Sequence, residues 1–371
     1  MHIYADSIPN PANTSFQNSF DPTPARKAKA QATAEEAVRL QPDLPEAHLA
    51  LGFYHYYCER NYERALDEFA IARKSLPNSA DVYLAIGAIQ RRQGKWAEST
   101  ANMEKAASLS PKDAFLLMNL ADNYRAAGDF EHADKLFDRA LETAPNSISA
   151  RAGKAMLAVD LKGDLSEIDK QLAQIQPGAG SDAEGTIGRA YLLMLQRKFH
   201  DAVAILKQLP GDVRSDDKPK ECLEGALYTF VNDKEHARSA FQRARSILEK
   251  AIQEGSDDAS RHMMLGIVLA GLGEKNAAIA EGKRAMMLLP ESRDALDGPK
   301  MTLALAQIYA WTGENDAALE LLERSLITPA GVTVSSLKLN PIWDPLRSDA
   351  RFQALIDIPP TPGVELTMNC R

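Results

Sequence analysis

Apolar residues along this chain recur three and four positions apart, in runs of several helical turns separated by Gly, Pro, Asn and Asp. Residues at that spacing share one face of an α-helix, so each run predicts an amphipathic helix. A longer period lies over the short one. Small residues stand at Gly52, Gly87, Ala121, Ala155, Ala190, Gly225, Gly266 and Ala306, at steps of 34 or 35 residues that lengthen to 41 and 40 at the end. A period in this range predicts stacked supersecondary units, and so an all-α chain.

Each small residue is followed, usually 12 residues on, by a second set: Ser99, Met103, Ala106 and Pro111 in one unit, Ala133, Phe137, Ala140 and Pro145 in the next. The set returns as Ala278, Gly282, Ala285 and Pro290, and as Ala30, Ala34, Ala37 and Pro42. In Ala65, Phe69, Ala72 and Pro77 it comes one residue late, which predicts a lengthened turn. Small side chains on facing positions let two helix axes approach, so Gly87 and Ser99 must both be small. Phe69, Met103, Phe137 and Phe241 then fill the space between helices, and each Pro ends a second helix because it cannot continue one.

With these residues in place, Tyr83-x-x-Ile86-Gly87-x-x-Gln90 and Leu117-x-x-Leu120-Ala121-x-x-Tyr124, with the sets that follow them, resemble the tetratricopeptide repeat. The resemblance covers residues 24–328. It implies a right-handed superhelical solenoid of antiparallel helix pairs, about eight units long, with a C-terminal capping segment. The stretch Ile148 to Pro177 departs from the pattern, with Arg151 and Lys154 where apolar residues usually sit. The end of the chain is similar to the segment closing tetratricopeptide regions in bacterial multidomain signalling proteins, beside serine/threonine kinase, nucleotide cyclase or winged-helix domains. None of those domains is in this sequence.

Composition divides the chain into a loose leader (1–22), an N-terminal repeat block (23–177), a more divergent C-terminal block (178–328), a cap (329–356) and a disordered tail (357–371). Thr23 and Pro24 suit the N-cap and first position of a helix that matches only the second half of a repeat, so the array starts in mid-unit. The breaks at 176–182 and 210–219 are rich in Gly, Pro and Asp. In the cap, Pro341 and Pro345 are expected to hold an extended stretch that lays Trp343 and Leu346 over the last repeat. A short helix from about Ser348 adds Phe352, Leu355 and Ile356.

Charge narrows the partners: 43 Lys and Arg against 51 Asp and Glu give a net charge of -8, which predicts no nucleic acid. No signal peptide and no run of about 18 apolar residues is present, so no membrane insertion is expected. As written the chain reads as cytoplasmic, or periplasmic if it belongs to a membrane-anchored parent. Cys58, Cys222 and Cys370 are too few and too scattered for a disulfide framework. His55 and Cys58 lack a second pair for a metal, Gly178 to Gly188 lacks the Lys-Ser/Thr of a phosphate loop, and no catalytic set emerges. Neither enzyme activity nor a cofactor is expected.

In a helical-pair solenoid the first helix of each unit lines the concave surface. Projecting those helices gives Phe53, Tyr56, Leu84, Ala88, Arg91, Phe115, Met118, Asn119, Asp122 and Arg125 as a groove for a protein or peptide, with inter-repeat core the competing account of Phe53, Phe115 and Met118. Relatives that grip chaperone carboxylates use Lys, Asn and Arg on successive first helices; here Leu84 and Ala88 occupy the middle of that face and only Asn119 resembles a clamp member, so that ligand is not expected. Tyr54, Tyr56 and Tyr57 around His55 read as side chains closing the lengthened turn. The favoured function is a non-enzymatic scaffold; the alternatives are a regulatory arm of a larger kinase, cyclase or regulator, and a small-ligand binder at the irregular unit near 148–190.

Overall fold

The computed structural model describes residues 24–174, 183–210, 214–215, 218–255 and 257–358. The leader, the Thr23 cap, the 176–182 break, Cys370 and the tail beyond Ile358 lie outside them. The described residues form an all-α array of helix pairs, and the chain divides into two compact units between Asn123 and Tyr124.

In the first unit, α1 (Pro24–Leu40) packs on α2 (Pro45–Tyr54) through Ala34, Leu51 and Tyr54. α2 pairs with α3 (Tyr62–Ser75), and α4 (Ala80–Arg92) with α5 (Trp96–Leu109); α6 (Ala114–Ala126) carries the division between the units. Side chains start these helices where the sequence supplies them. Asn61 accepts from the Arg64 amide, Ser79 from the Val82 amide, and Asp113 from the amides of Phe115 and Leu116. The demand for small residues is met by contact. A methyl on Gly52 would stand 2.5 Å from Cε1 of the fully buried Phe69, and one on Gly87 2.8 Å from Cγ of Met103. The Ser99 hydroxyl donates to the Gly87 carbonyl at 2.8 Å.

The extra residue before α3 is absorbed as a π-helical turn, His55–Glu59, that continues α2 and ends at Arg60 with φ 50°. A π turn takes one residue more than an α turn, so the register of α3 is kept. Burial of Tyr54 and Tyr56 in this turn, and the bond from Tyr54 to Gln31 Oε1 at 3.0 Å, give the aromatic cluster a packing role. Burial, with Glu59 next, pushes the Tyr54 phenol up to about 12.

In the second unit the pairs are α7 (Phe130–Thr143) following α6, α8 (Ile148–Lys162) with α9 (Ser166–Ala173), and α10 (Ala183–Leu195) with α11 (Phe199–Leu206). They continue as α12 (Lys220–Phe230) with α13 (Lys234–Glu254), α14 (Ala259–Gly271) with α15 (Lys275–Leu288), and α16 (Gly298–Trp311) with α17 (Asn315–Leu326). α13 runs 21 residues, which accounts for the step of 41. Within the 210–219 break, where only loop is expected, Arg214–Ser215 pairs antiparallel with Lys218–Pro219.

The irregular unit is a complete helix pair. Arg151 is buried in it because its guanidinium donates to Oε1 of Gln171 and of Gln174 and to the Pro145 carbonyl. Lys154 reaches Asp134 and Asp138 on α7. Two charged residues in apolar positions are thus tolerated because neighbouring helices supply acceptors.

After α17 the chain forms α18 (Val334–Leu339), a 3-10 turn (Pro341–Leu346) and α19 (Ala350–Ile356). The stretch around the prolines is therefore helical and not extended, since the fixed φ of proline suits a 3-10 turn as well as a strand. Trp343, Leu346, Phe352, Leu355 and Ile356 are buried against Ala306, Ala310, Leu319 and Leu322 of the last pair.

Candidate partner-binding surface

The ten groove residues do not form one surface. Phe53, Tyr56, Leu84 and Ala88 are buried, at 5 to 8% exposed. Phe53 meets the Phe69 ring edge-on at 5.0 Å, and the Tyr56 hydroxyl accepts from Arg92 Nε at 2.9 Å. These side chains belong to packing of the first unit: Tyr56 lies in the π turn, Phe53 is buried on α2 against Phe69, and Leu84 and Ala88 are buried on α4. Projection on a regular helix does not foresee the π turn.

Arg91, Phe115, Met118, Asn119 and Asp122 remain partly or fully accessible on two successive first helices, α4 and α6. Arg91 Nη2 donates to Asn119 Oδ1 at 3.3 Å, and Asn119 Nδ2 donates to the Phe115 carbonyl at 3.0 Å. Arg91 Nε is shielded from solvent and hydrogen-bonds to nothing among the described residues. An unsatisfied guanidinium N–H is costly, and a turn of the partly exposed Arg91 side chain onto an acceptor brought by a partner would relieve it. The surface therefore offers a cation held by an amide, next to a half-buried aromatic and a thioether. Behind it, Asn123 is wholly buried and donates to Thr100 Oγ1 at 2.9 Å, which holds α6 on α5.

Arg125 belongs to the second unit and is committed elsewhere. Its Nε donates to Asp160 Oδ2 on α8 at 2.9 Å, while Asp160 Oδ1 accepts from Thr333 at 3.4 Å. The neighbouring Tyr191 on α10 accepts from Asn340 Nδ2 at 3.2 Å, and burial pushes its phenol up. Near the end of the same helix Arg197 forms a two-pronged ion pair with Asp344, at 2.8 and 2.7 Å. Burial alone would raise the Asp344 carboxyl, yet hydrogen bonds from Arg197 and Arg347 hold it below its usual value.

Residues 78–146 match the family described as tetratricopeptide repeat. That segment is similar to tetratricopeptide repeats. Among curated relatives, cellulose synthase operon protein C of Xanthomonas axonopodis pv. citri is 26% identical over 311 residues, 76% of this chain and 20% of that protein. A peroxisomal targeting signal receptor of Komagataella phaffii is 28% identical over 147 residues, 38% of this chain and 25% of the receptor. This chain thus spans only about a fifth to a quarter of those relatives. A tetratricopeptide repeat protein from Parabacteroides merdae superposes with a TM-score of 0.47 at 19% identity, over 70% of this chain and 97% of that one.

The matched region 78–146 contains Arg91, Phe115, Met118, Asn119 and Asp122, and also the buried Leu84 and Ala88. His55 is buried with Nδ1 on Glu59 at 2.8 Å, and no group of three such side chains that could hold a metal occurs among the described residues. No described helix is long and apolar enough to cross a membrane. The residues that sequence reasoning missed are Asp160, Tyr191 and Arg197, with Thr333, Asn340 and Asp344 opposite them. Their pairing spans 147 to 173 positions, and no local pattern signals it.

Proposed function

We propose that this protein is a non-catalytic interaction scaffold that takes a peptide or a partner helix on the first-helix surface of its first unit. The observation that carries this reading is the Arg91 guanidinium, with one N–H unsatisfied and another fixed by Asn119, bordered by the half-buried Phe115 and Met118. Aromatic, Met and Arg side chains are the usual energetic centres of such surfaces. The tetratricopeptide family generally serves protein-protein interaction, and one relative is named a receptor for a targeting signal. The surface fits a segment with an acidic or C-terminal carboxylate beside an apolar side chain, because Arg pairs such groups in two-pronged fashion. A role in bacterial signalling or complex assembly extends this reading.

Panning a displayed random peptide library on the full chain tests it. Enrichment of acidic and apolar peptides is expected, with affinity falling about tenfold or more in Arg91→Glu and less in Asn119→Ala. Peptides that bind both variants as well as the parent, or no enrichment at all, would remove the assignment.

A second reading makes the chain the regulatory arm of a larger protein. It draws on the length of the relatives, of which this chain spans 20 to 25%. The intact mass of the product in its source cells separates the two: 40.6 kDa is the mass of this chain alone, and a much larger species would support the second.

A further inference from the structure

A cap on a repeat array need only cover its last pair. Here the C-terminal segment reaches back across the first helices of the second unit. The Ala330 amide donates to the carbonyl of Ala126 at the end of α6 at 2.8 Å, Thr333 to Asp160 on α8, and Asn340 to Tyr191 on α10. Asp344 then takes both prongs of Arg197. Leu339 packs into the cluster of Ala155, Val159 and Ala190, whereas Leu337 faces the last pair. Its side chain also lies against the turn after α8, where Leu339 Cδ1 and Ser335 Cβ stand within 3.8 Å of a methyl built on Gly163.

The hold on the segment is uneven. Trp343, Leu346 and Phe352 are at most 2% exposed and form a fixed anchor. Ahead of them, Leu337 is buried against the last pair, but the hydrogen bonds from residues 330–340 to α6, α8 and α10 are single contacts of 2.8 to 3.4 Å, and the Arg197–Asp344 pair is 47% and 34% exposed. Exposed ion pairs hold weakly.

We propose that residues 330–340, with the Asp344 carboxylate, are a resident ligand of the α8–α10 surface: they occupy it in the free chain, and an external peptide of the same pattern docks there when they swing off it about the Trp343 anchor. The seated segment defines the chemistry of that peptide. It is a short helix capped by Ser or Thr for Asp160, followed by Leu for the Ala155 cluster, Asn for the Tyr191 hydroxyl, and a carboxylate for Arg197. This rests on the reading of first-helix surfaces as peptide sites, but the residues differ from those of the first unit. The Arg91 experiment and the following one therefore fail separately.

The test uses the full chain and a labelled synthetic peptide with the native sequence of residues 329–347. Asp344→Lys places a third cation between Arg197 and Arg347 while leaving the receiving side chains intact. Faster amide exchange over 330–340 is expected, and the peptide binds about tenfold tighter than to the parent chain, whose competent fraction is smaller. Adding Arg197→Asp restores a pair of opposite sign, and both exchange and peptide binding return toward parent values. If circular dichroism shows that Asp344→Lys has lost helix, Tyr191→Phe, which removes one hydroxyl, takes its place in the exchange measurement, with Asp344→Asn in the binding measurement. Equal peptide binding by parent and latch variants overturns the proposal. Unchanged exchange over 330–340 overturns it too, as does a lifted segment that the peptide does not replace.

Discussion

Phe241 shows how single residues set the spacing of this array. Its ring lies between Gly225 of its own pair and Gly271 of the next, where methyls would come within 2.5 and 2.4 Å of it. One fully buried phenyl thus fills space belonging to two pairs. Phe241→Ala is expected to cost about 3–5 kcal/mol, seen as a lower urea midpoint for α12 to α14, because neither helix can collapse into the void. His48 acts through charge. Its Nδ1 lies 2.6 Å from Glu68 and its Nε2 2.7 Å from the Pro42 carbonyl, so both nitrogens must donate and the ring carries both protons. Burial alone would lower its pKa, but Glu68 and Pro42 raise it above 6.5. The folded state therefore holds the proton more tightly. That stability is fully present below pH 6.5 and is lost as pH rises through the folded pKa. A urea midpoint that falls between pH 6 and pH 8.5 in the parent, and falls less in His48→Gln, checks this. His262 repeats the arrangement four residues before Gly266, between Glu281 and Asp257 at 2.5 and 2.6 Å.

Helices could be read directly from the chain because their determinants are local. The ladder from Gly52 to Ala306 marks eight pairs, and Phe69, Met103, Phe137 and Phe241 are the fully buried side chains the spacing demands. The candidate surface was legible only in part. Arg91 and Asn119 do meet, but Phe53 packs on Phe69, and Tyr56 is buried in the π turn, since a one-residue excess can be absorbed as a loop or as a π turn and only tertiary packing chooses. Arg151 misled for a related reason: its acceptors, Gln171 on the following helix and Gln174 just past its end, lie beyond any window of helical period. Arg151→Leu restores the usual apolar residue, yet it is expected to destabilise α9 by about 1–3 kcal/mol, because the acceptors it leaves lose their donor. Amide exchange over 166–173 measures this; slower exchange would show that the apolar residue packs better.

Across the second unit as a whole, the C-terminal segment adds contacts of a different order from those between neighbouring pairs. Its latch is acid-sensitive in a defined direction. Asp344 is held below 3.8 by Arg197 and Arg347, so its contribution is complete above pH 3.8 and is lost as pH falls through the lower folded value. Because the pair is partly exposed, salt should weaken it by less than about 1 kcal/mol. A modest rise in amide exchange over 330–340 between 0.1 and 1 M salt at neutral pH would fit. Neighbouring pairs fold with short loops to close, whereas Thr333 must find Asp160 across 173 residues. On the ribosome this separation becomes time. The α8–α10 residues are made well over a hundred residues ahead of 330–346, at about 5–20 residues per second. Each new copy therefore passes through an interval of seconds in which the α8–α10 surface stands uncovered, and a partner present at synthesis can be bound before the chain shuts it out.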